Sequence, residues 1–232
     1  MSLRIARFDI TKPQQSRGYD VLMRLPVLAW STALAIMSAA GLERYASAAD
    51  PALPGAIYSV NIAMRLSVIV YLAILAATVI VRMQPMAKAR GVEPRISALV
   101  GTFLITVVVV FPRRELSLAA GCVSTLLVLA GNALAVFVLT RLRGSFSIMT
   151  EARQLVMSGA YRFVRHPLYL AEEIAAIGSV MQFLSAWTTM LLVAQIVFQL
   201  RRMRNEETLL TEVFPEYAKY REKTARIIPG IY

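Results

Sequence analysis

His166 is the only histidine in the chain, and it stands between Arg165 and Pro167 in the stretch SGAYRFVRHPLYLAEE, Ser158–Glu173. The stretch then enters an apolar run. Proline suits the first turn of a helix, where its missing N–H leaves nothing unpaired. His166 is therefore placed at a helix entrance, where free N–H groups and the positive end of the dipole meet Arg165. Such an entrance receives a carboxylate or a phosphate. The plainer alternative is positive charge and interfacial tyrosines flanking a membrane helix. Residue types alone leave both open.

A second stretch, RRMRNEETLLTEVFPEYAKYREKTARIIP, covers Arg201–Pro229. Arg202 and Glu206 are four apart and share a helix face, as do Met203 and Glu207. Leu209, Leu210, Val213 and Phe214 make an apolar stripe that Tyr217 and Tyr220 continue. The pattern predicts an amphipathic helix on the cytoplasmic surface. Glu206 and Glu207 are either ligands or a solvated pair offsetting nearby arginines. Glu172 and Glu173 lie about 9–10 Å along the helix from His166. Carboxyl groups at membrane depth are costly and usually face a cavity or a partner. These two either line a substrate passage, accept a proton, or pair with an arginine.

The elements that must position these residues are apolar. Hydrophobic residues make up 57% of the 232, above the ~45–50% of a soluble domain. Apolar runs occupy about Val21–Leu42, Val60–Val81, Ile96–Phe111, Leu116–Leu139, Leu168–Leu184 and Ala186–Leu200. Backbone facing lipid must satisfy its own hydrogen bonds, so the runs are read as helices. The third and fifth are short, which fits tilting, partial interfacial placement or a hairpin. The expected fold is all-α: a polytopic bundle of about six transmembrane helices, the last two possibly a hairpin, with the amphipathic helix following. Residues 1–139 hold four helices and 140–232 the chemistry, in one integrated domain.

The net charge is +11. Its positive residues sit in alternate gaps: Arg4, Arg7, Lys12 and Arg17, then Arg82, Lys88, Arg90 and Arg95, then Arg141 to Arg165, then the stretch after Arg201. This bias places both termini in the cytoplasm and excludes nucleic acid as the expected partner. Arg24 and Arg65 lie near run ends, where snorkelling accounts for them. ASAAD, Ala46–Asp50, has the form of a signal-peptidase site, but the long polar segment before the first run argues against cleavage. Cys122, the single cysteine, reads as a small buried hydrophobe; with one Cys and one His, no disulfide or zinc cluster is expected. Asn132, Gln182, Gln195 and Gln199 suit interhelical hydrogen bonds.

LVMSGAYRFVRHPLYL followed about 35 residues later by EETLLTEVFPEYAKY resembles the superfamily of integral membrane methyltransferases that includes isoprenylcysteine carboxyl methyltransferases and phospholipid N-methyltransferases. The resemblance covers roughly Gly144–Pro229. It implies S-adenosylmethionine as cofactor, with contacts along Arg153, Gln154, Leu155 and Val156, at Tyr161, and at His166, Pro167, Leu168 and Tyr169. It makes Glu206 the acidic cofactor ligand and Arg202 the holder of a substrate carboxyl group, the two residues expected to carry catalysis. Where the carboxyl methyltransferases often have a histidine ahead of the Leu-Val pair, this chain has Arg153.

The chemistry agrees with that ligand. Arg165 and His166 suit the cofactor's carboxylate, Glu206 or Glu207 its ammonium or ribose hydroxyls, and Tyr161 and Tyr169 its adenine or sulfonium. No G-x-G-x-x-G opens a helix, so a soluble Rossmann-type site is not expected. The expected activity is carboxyl O-methylation of an isoprenyl- or lipid-linked acceptor in a bacterial inner membrane. Phospholipid amine N-methylation, thiol S-methylation and a non-catalytic subunit of the same fold follow in that order. Glu172 and Glu173 are the candidates to meet the acceptor or its proton.

Overall fold

The computed structural model describes residues 21–22, 24–48 and 55–230. The first basic cluster, Arg4–Arg17, and the Ala49–Asp50 end of the cleavage-like segment lie outside them. Helix α1 spans Leu25–Ser47, with proline in its first turn. Helix α2 spans Gly55–Ile80. Helix α3 is α-helical over Val92–Phe103 and tightens to a 3-10 helix through Val110. That tail reads LITVVVV, whose β-branched side chains crowd an α-turn. Helix α4 spans Leu118–Leu142, capped where Ser117 accepts from the Ala120 N–H. These four segments are each long and apolar enough to cross a membrane.

Helix α5, Pro167–Met181, has 15 residues and is ~22 Å long, short of a ~30 Å hydrocarbon core. It turns at once into α6, Ala186–Val213, whose start is fixed by a Ser185–Thr188 capping box. The fifth and sixth runs thus form the hairpin that their length allowed. Helix α6 does not stop at Leu200: it carries Arg202, Glu206 and Glu207 on the same rigid rod for 28 residues. The amphipathic segment therefore divides. Pro215 disfavours a helical Phe214, which is extended at φ −120°, ψ 105°. Only Tyr217–Lys223, α7, forms a further helix.

A two-residue strand pair also stands where no strand was expected. Strand β1, Ala87–Lys88, runs antiparallel to β2, Glu151–Ala152, and Lys88 Nζ lies 2.9 Å from Glu151. It ties the loop after α2 to the segment entering the candidate site. Arg153 and Lys88 hold the Glu151 carboxyl below its ordinary range, against the opposing effect of burial.

The polar residues of the helices pair between helices as expected. Asn132 donates to Ser67 Oγ (3.2 Å), Gln182 to Ser124 Oγ (3.1 Å), Gln195 to the Gly101 carbonyl (2.6 Å) and Gln199 to Glu172 (3.0 Å). Arg24 and Arg65 both reach toward helix ends and find partners there. Arg24 donates to the carbonyls of Ile80 and Arg82, closing the end of α2. Arg65 lies ten residues into α2 and turns its guanidinium over the Tyr45 ring at 4.5 Å. Cys122 is half-buried and lines a cavity, not the core.

Close approach of α4 and α5 sets the spacing of the bundle. A Cβ on Gly131 would lie 2.6 Å from the Ala175 nitrogen, and one on Gly178 would lie 2.8 Å from the Ser124 carbonyl. Small residues let membrane helices approach backbone to backbone. Gly131→Ala is accordingly expected to destabilise by about 1–3 kcal/mol, because backbone cannot yield as a side-chain tip can. Gly121 has nothing within 4 Å and Gly121→Ala is expected to be neutral. Thermal midpoints of the two variants in one detergent check the contrast.

Candidate active site

Arg165 and His166 meet the α5 entrance as expected, but the entrance is not free. Residues 224–226 cross it as a strap. The Arg165 N–H donates to the Ala225 carbonyl (2.8 Å) and the His166 N–H to the Arg226 carbonyl (3.0 Å). The Arg165 guanidinium holds the same segment through the carbonyls of Arg221 (2.6 Å) and Thr224 (2.5 Å). Its charge is thus used within the protein. The strap takes the N–H groups of Arg165 and His166, immediately ahead of the helix.

Glu207 anchors this arrangement. Its Oε1 accepts from Arg165 Nε (2.9 Å), His166 Nε2 (3.1 Å) and Arg226 Nε (3.0 Å), and its Oε2 from Arg226 Nη2 (2.7 Å). A carboxylate facing Nε2 fixes the proton there and leaves Nδ1 as the other ring atom. Burial alone would raise the Glu207 pKa; the hydrogen bonds of His166 and Arg226, with Arg165 beside them, reverse this and hold it well below the carboxylate range. Glu207 does not line the hollow described next.

Glu206, one residue earlier, points elsewhere. It accepts from the Tyr169 hydroxyl, lies 3.4 Å from Arg202 Nε, and approaches His166 Nδ1 at 4.0 Å. Its side chain keeps 22% exposure and faces a hollow of about 120 Å³. Gln154, Leu155, Val156, Tyr161, Leu168 and Tyr169 line the same hollow, as do Arg153, Arg165 and His166. The Arg153 guanidinium itself is buried against Glu151 at 2.5 Å. Pro167 occupies the first turn of α5 and is not on the lining. Tyr169 is sandwiched, stacked on His166 with ring centres 5.4 Å apart and lying under the Arg202 guanidinium at 4.7 Å.

Arg202 is 2% exposed and belongs to a different space. It donates to Thr102 Oγ1 (2.9 Å) and the Ser147 carbonyl (3.2 Å) and lines a cavity of about 580 Å³ inside the bundle. Glu172 lines that cavity too, whereas Glu173 lines neither space. Phe146 borders both. Arg202 and Glu206, an ion pair 3.4 Å apart, thus form a partition with a small hollow on one side and a large, mostly apolar cavity on the other.

Sequence reasoning missed the strap, and it missed Tyr217 and Tyr220 as lining residues. The Tyr220 hydroxyl donates to the Tyr161 carbonyl at 2.6 Å. Burial, with Arg165 opposing it and Glu207 adding to it, pushes the Tyr220 hydroxyl up to about 12, so it stays a donor at neutral pH. Their signal was the tyrosine spacing directly after Pro215.

Residues 123–212 match the sequence model of the isoprenylcysteine carboxyl methyltransferase family. Over this stretch, which takes in most of α4, all of α5 and nearly all of α6, the chain is similar to that family. A curated relative is the cobalt-zinc-cadmium resistance protein CzcN of Cupriavidus metallidurans, 34% identical over 78 residues, or 33% of this chain and 36% of that one. The chain thus spans about a third of that relative's length. The solved eukaryotic intramembrane Ras methyltransferase ICMT aligns with 94% of this chain and 88% of its own at 17% identity and a TM-score of 0.48, too distant a likeness to carry weight. With four apolar helices of spanning length, the protein is integral to a membrane.

The Glu207 anchor predicts an acid limit. A carboxyl held below its unfolded value stabilises fully above about pH 5, and that stabilisation drains away as pH falls further. The thermal midpoint of the solubilised protein should drop between about pH 5 and pH 3. Glu207→Gln should lower it by an amount equivalent to about 3 kcal/mol at neutral pH and flatten the acid limb.

Proposed function

We propose that the protein transfers the methyl group of S-adenosylmethionine to a carboxyl group on a lipophilic acceptor. One observation carries the reading: Arg202 and Glu206 stand back to back, 3.4 Å apart, between a small hollow and a large, mostly apolar cavity. The donor set of the hollow fits the cofactor. Glu206 retains exposed carboxylate surface for an ammonium or hydroxyls, Tyr161 and Tyr169 offer aromatic faces, and Leu155, Val156, Leu209 and Leu210 suit an adenine. When bound, the cofactor supplies an electrophilic methyl group on a sulfonium.

The chain's own contribution is alignment. Arg202, fixed by Thr102 and Ser147, presents a cation to the acceptor side and orients a carboxylate that needs no general base. The apolar lining around Tyr71, Phe146 and Ile148 keeps water from the junction. Glu207 and Arg165 position His166 and close the entrance behind it. We place the hollow on the cytoplasmic side of a bacterial inner membrane, the side to which the loop arginines point. A second reading, methylation of a phospholipid amine, draws on Glu172: it lines the large cavity and could take the proton an amine must lose.

Glu206→Ala should weaken cofactor binding about tenfold or more by calorimetric titration. Arg202→Lys should raise the KM for an S-farnesylcysteine derivative while leaving cofactor affinity near that of the wild type. Unchanged cofactor affinity in Glu206→Ala would sink the ligand assignment. No saturable heat from folded wild-type protein would favour a non-catalytic subunit, and turnover of phosphatidylethanolamine instead of the farnesylated carboxylate would favour the second reading.

A further inference from the structure

The large cavity has a second charged end that methyl transfer does not use. Its lining follows α2 from Met64 to Leu75, ~16 Å along the axis. Tyr71 and Arg202 mark one end, and Arg44, Arg65 and Arg113 the other. Among the described residues no carboxylate lies within ion-pair distance of these three arginines. Arg65 spans the gap over the Tyr45 ring, Arg113 sits over Phe183 at 5.3 Å, and Arg44 donates to the Ala40 carbonyl (3.2 Å). Arg65 Nε is buried with no hydrogen-bond partner. Arg65 and Arg113 also line a neighbouring cavity of about 420 Å³, so both guanidiniums front open space on two sides.

Arg65 lies within a spanning helix, where charge is costly and is retained where it meets a partner. Arg44, in the last turn of α1, and Arg113, in the loop after α3, stand exposed beside it, and among the described residues no carboxylate pairs with any of the three. Between them and Arg202 the wall is mostly apolar, from Val68 and Leu72 to Val108, Val128 and Ala176, with Asn132, Gln182 and Glu172 as polar interruptions. We infer that this end of the cavity binds the phosphate head of an anionic lipid, whose chain lies along that wall. A phosphate offers several acceptor oxygens to guanidiniums at once, and basic pockets between membrane helices hold lipid head groups in this way. The head-group site lies at the other end of the cavity from the Arg202–Glu206 partition, and its lipid chain would share the cavity with the acceptor of the methyl-transfer reading, so its test uses neither cofactor nor acceptor.

Native mass spectrometry of the full chain, released from a neutral detergent with phosphatidylglycerol or phosphatidylcholine of identical chains, tests it without cofactor. The wild type should retain phosphatidylglycerol about tenfold better. The Arg65→Gln/Arg113→Gln pair should abolish that preference, Arg65→Lys/Arg113→Lys should keep part of it, and Arg204→Gln at the opposite end of the bundle should keep it all. Equal retention of the two lipids by the wild type, or an unchanged preference in the folded glutamine pair, would overturn the proposal. Displacement of phosphatidylglycerol from wild-type protein by millimolar inorganic phosphate would mean that the arginines take a free anion, and would overturn the lipid assignment.

Discussion

Three basic side chains converge on one carboxylate, and the candidate site is built around that convergence. Glu207 comes from α6, Arg165 and His166 from the entrance of α5, and Arg226 from the segment beyond α7. A buried guanidinium or carboxylate alone would be costly; here the carboxylate pairs with both arginines and accepts from the imidazole N–H. The consequence is geometric. Once Glu207 fixes the imidazole through Nε2, the other ring nitrogen and the stacked Tyr169 face Glu206, and the two neighbouring glutamates point into different surroundings. Successive residues on a helix differ in direction by about 100°, so one is used for architecture and the other is left to meet a ligand.

The remaining architecture keeps these pieces in register. The α4–α5 contact leaves no room for a side chain at Gly131 or Gly178, which fixes the depth of α5 against the bundle. The unbroken rod of α6 then carries Arg202 and Glu206 at one helical turn's separation, each into its own compartment. The short strand pair brings Arg153 to Val156 alongside.

The apolar runs and their charge bias were legible because length and composition alone decide what can sit in lipid. Their ends were less so: α6 ran past its apolar stretch because helix propagation continues through charged residues until a proline intervenes, here Pro215. The paired motifs located His166, Tyr169, Glu206 and Arg202, whose spacing within one helix or at one helix entrance is a local property. What stayed hidden depends on chain segments meeting across long separations. Arg165 looked like an anion receptor until the carbonyls of Arg221 and Thr224, 56 and 59 residues away, were found on its guanidinium. That the Arg65 guanidinium meets the Tyr45 ring was likewise hidden, because periodicity does not reveal which way a guanidinium turns inside a bundle.

The strap across the α5 entrance has a bearing on biogenesis. Helices inserted early can pack as they leave the translocon, but His166 has no Arg226 carbonyl to meet, and Glu207 lacks its second guanidinium, until the ribosome has passed residue 226. The hollow beside Glu206 is therefore completed only after α1 to α6 have been made. A nascent chain stalled before that codon would be inserted and helical, yet without a finished site.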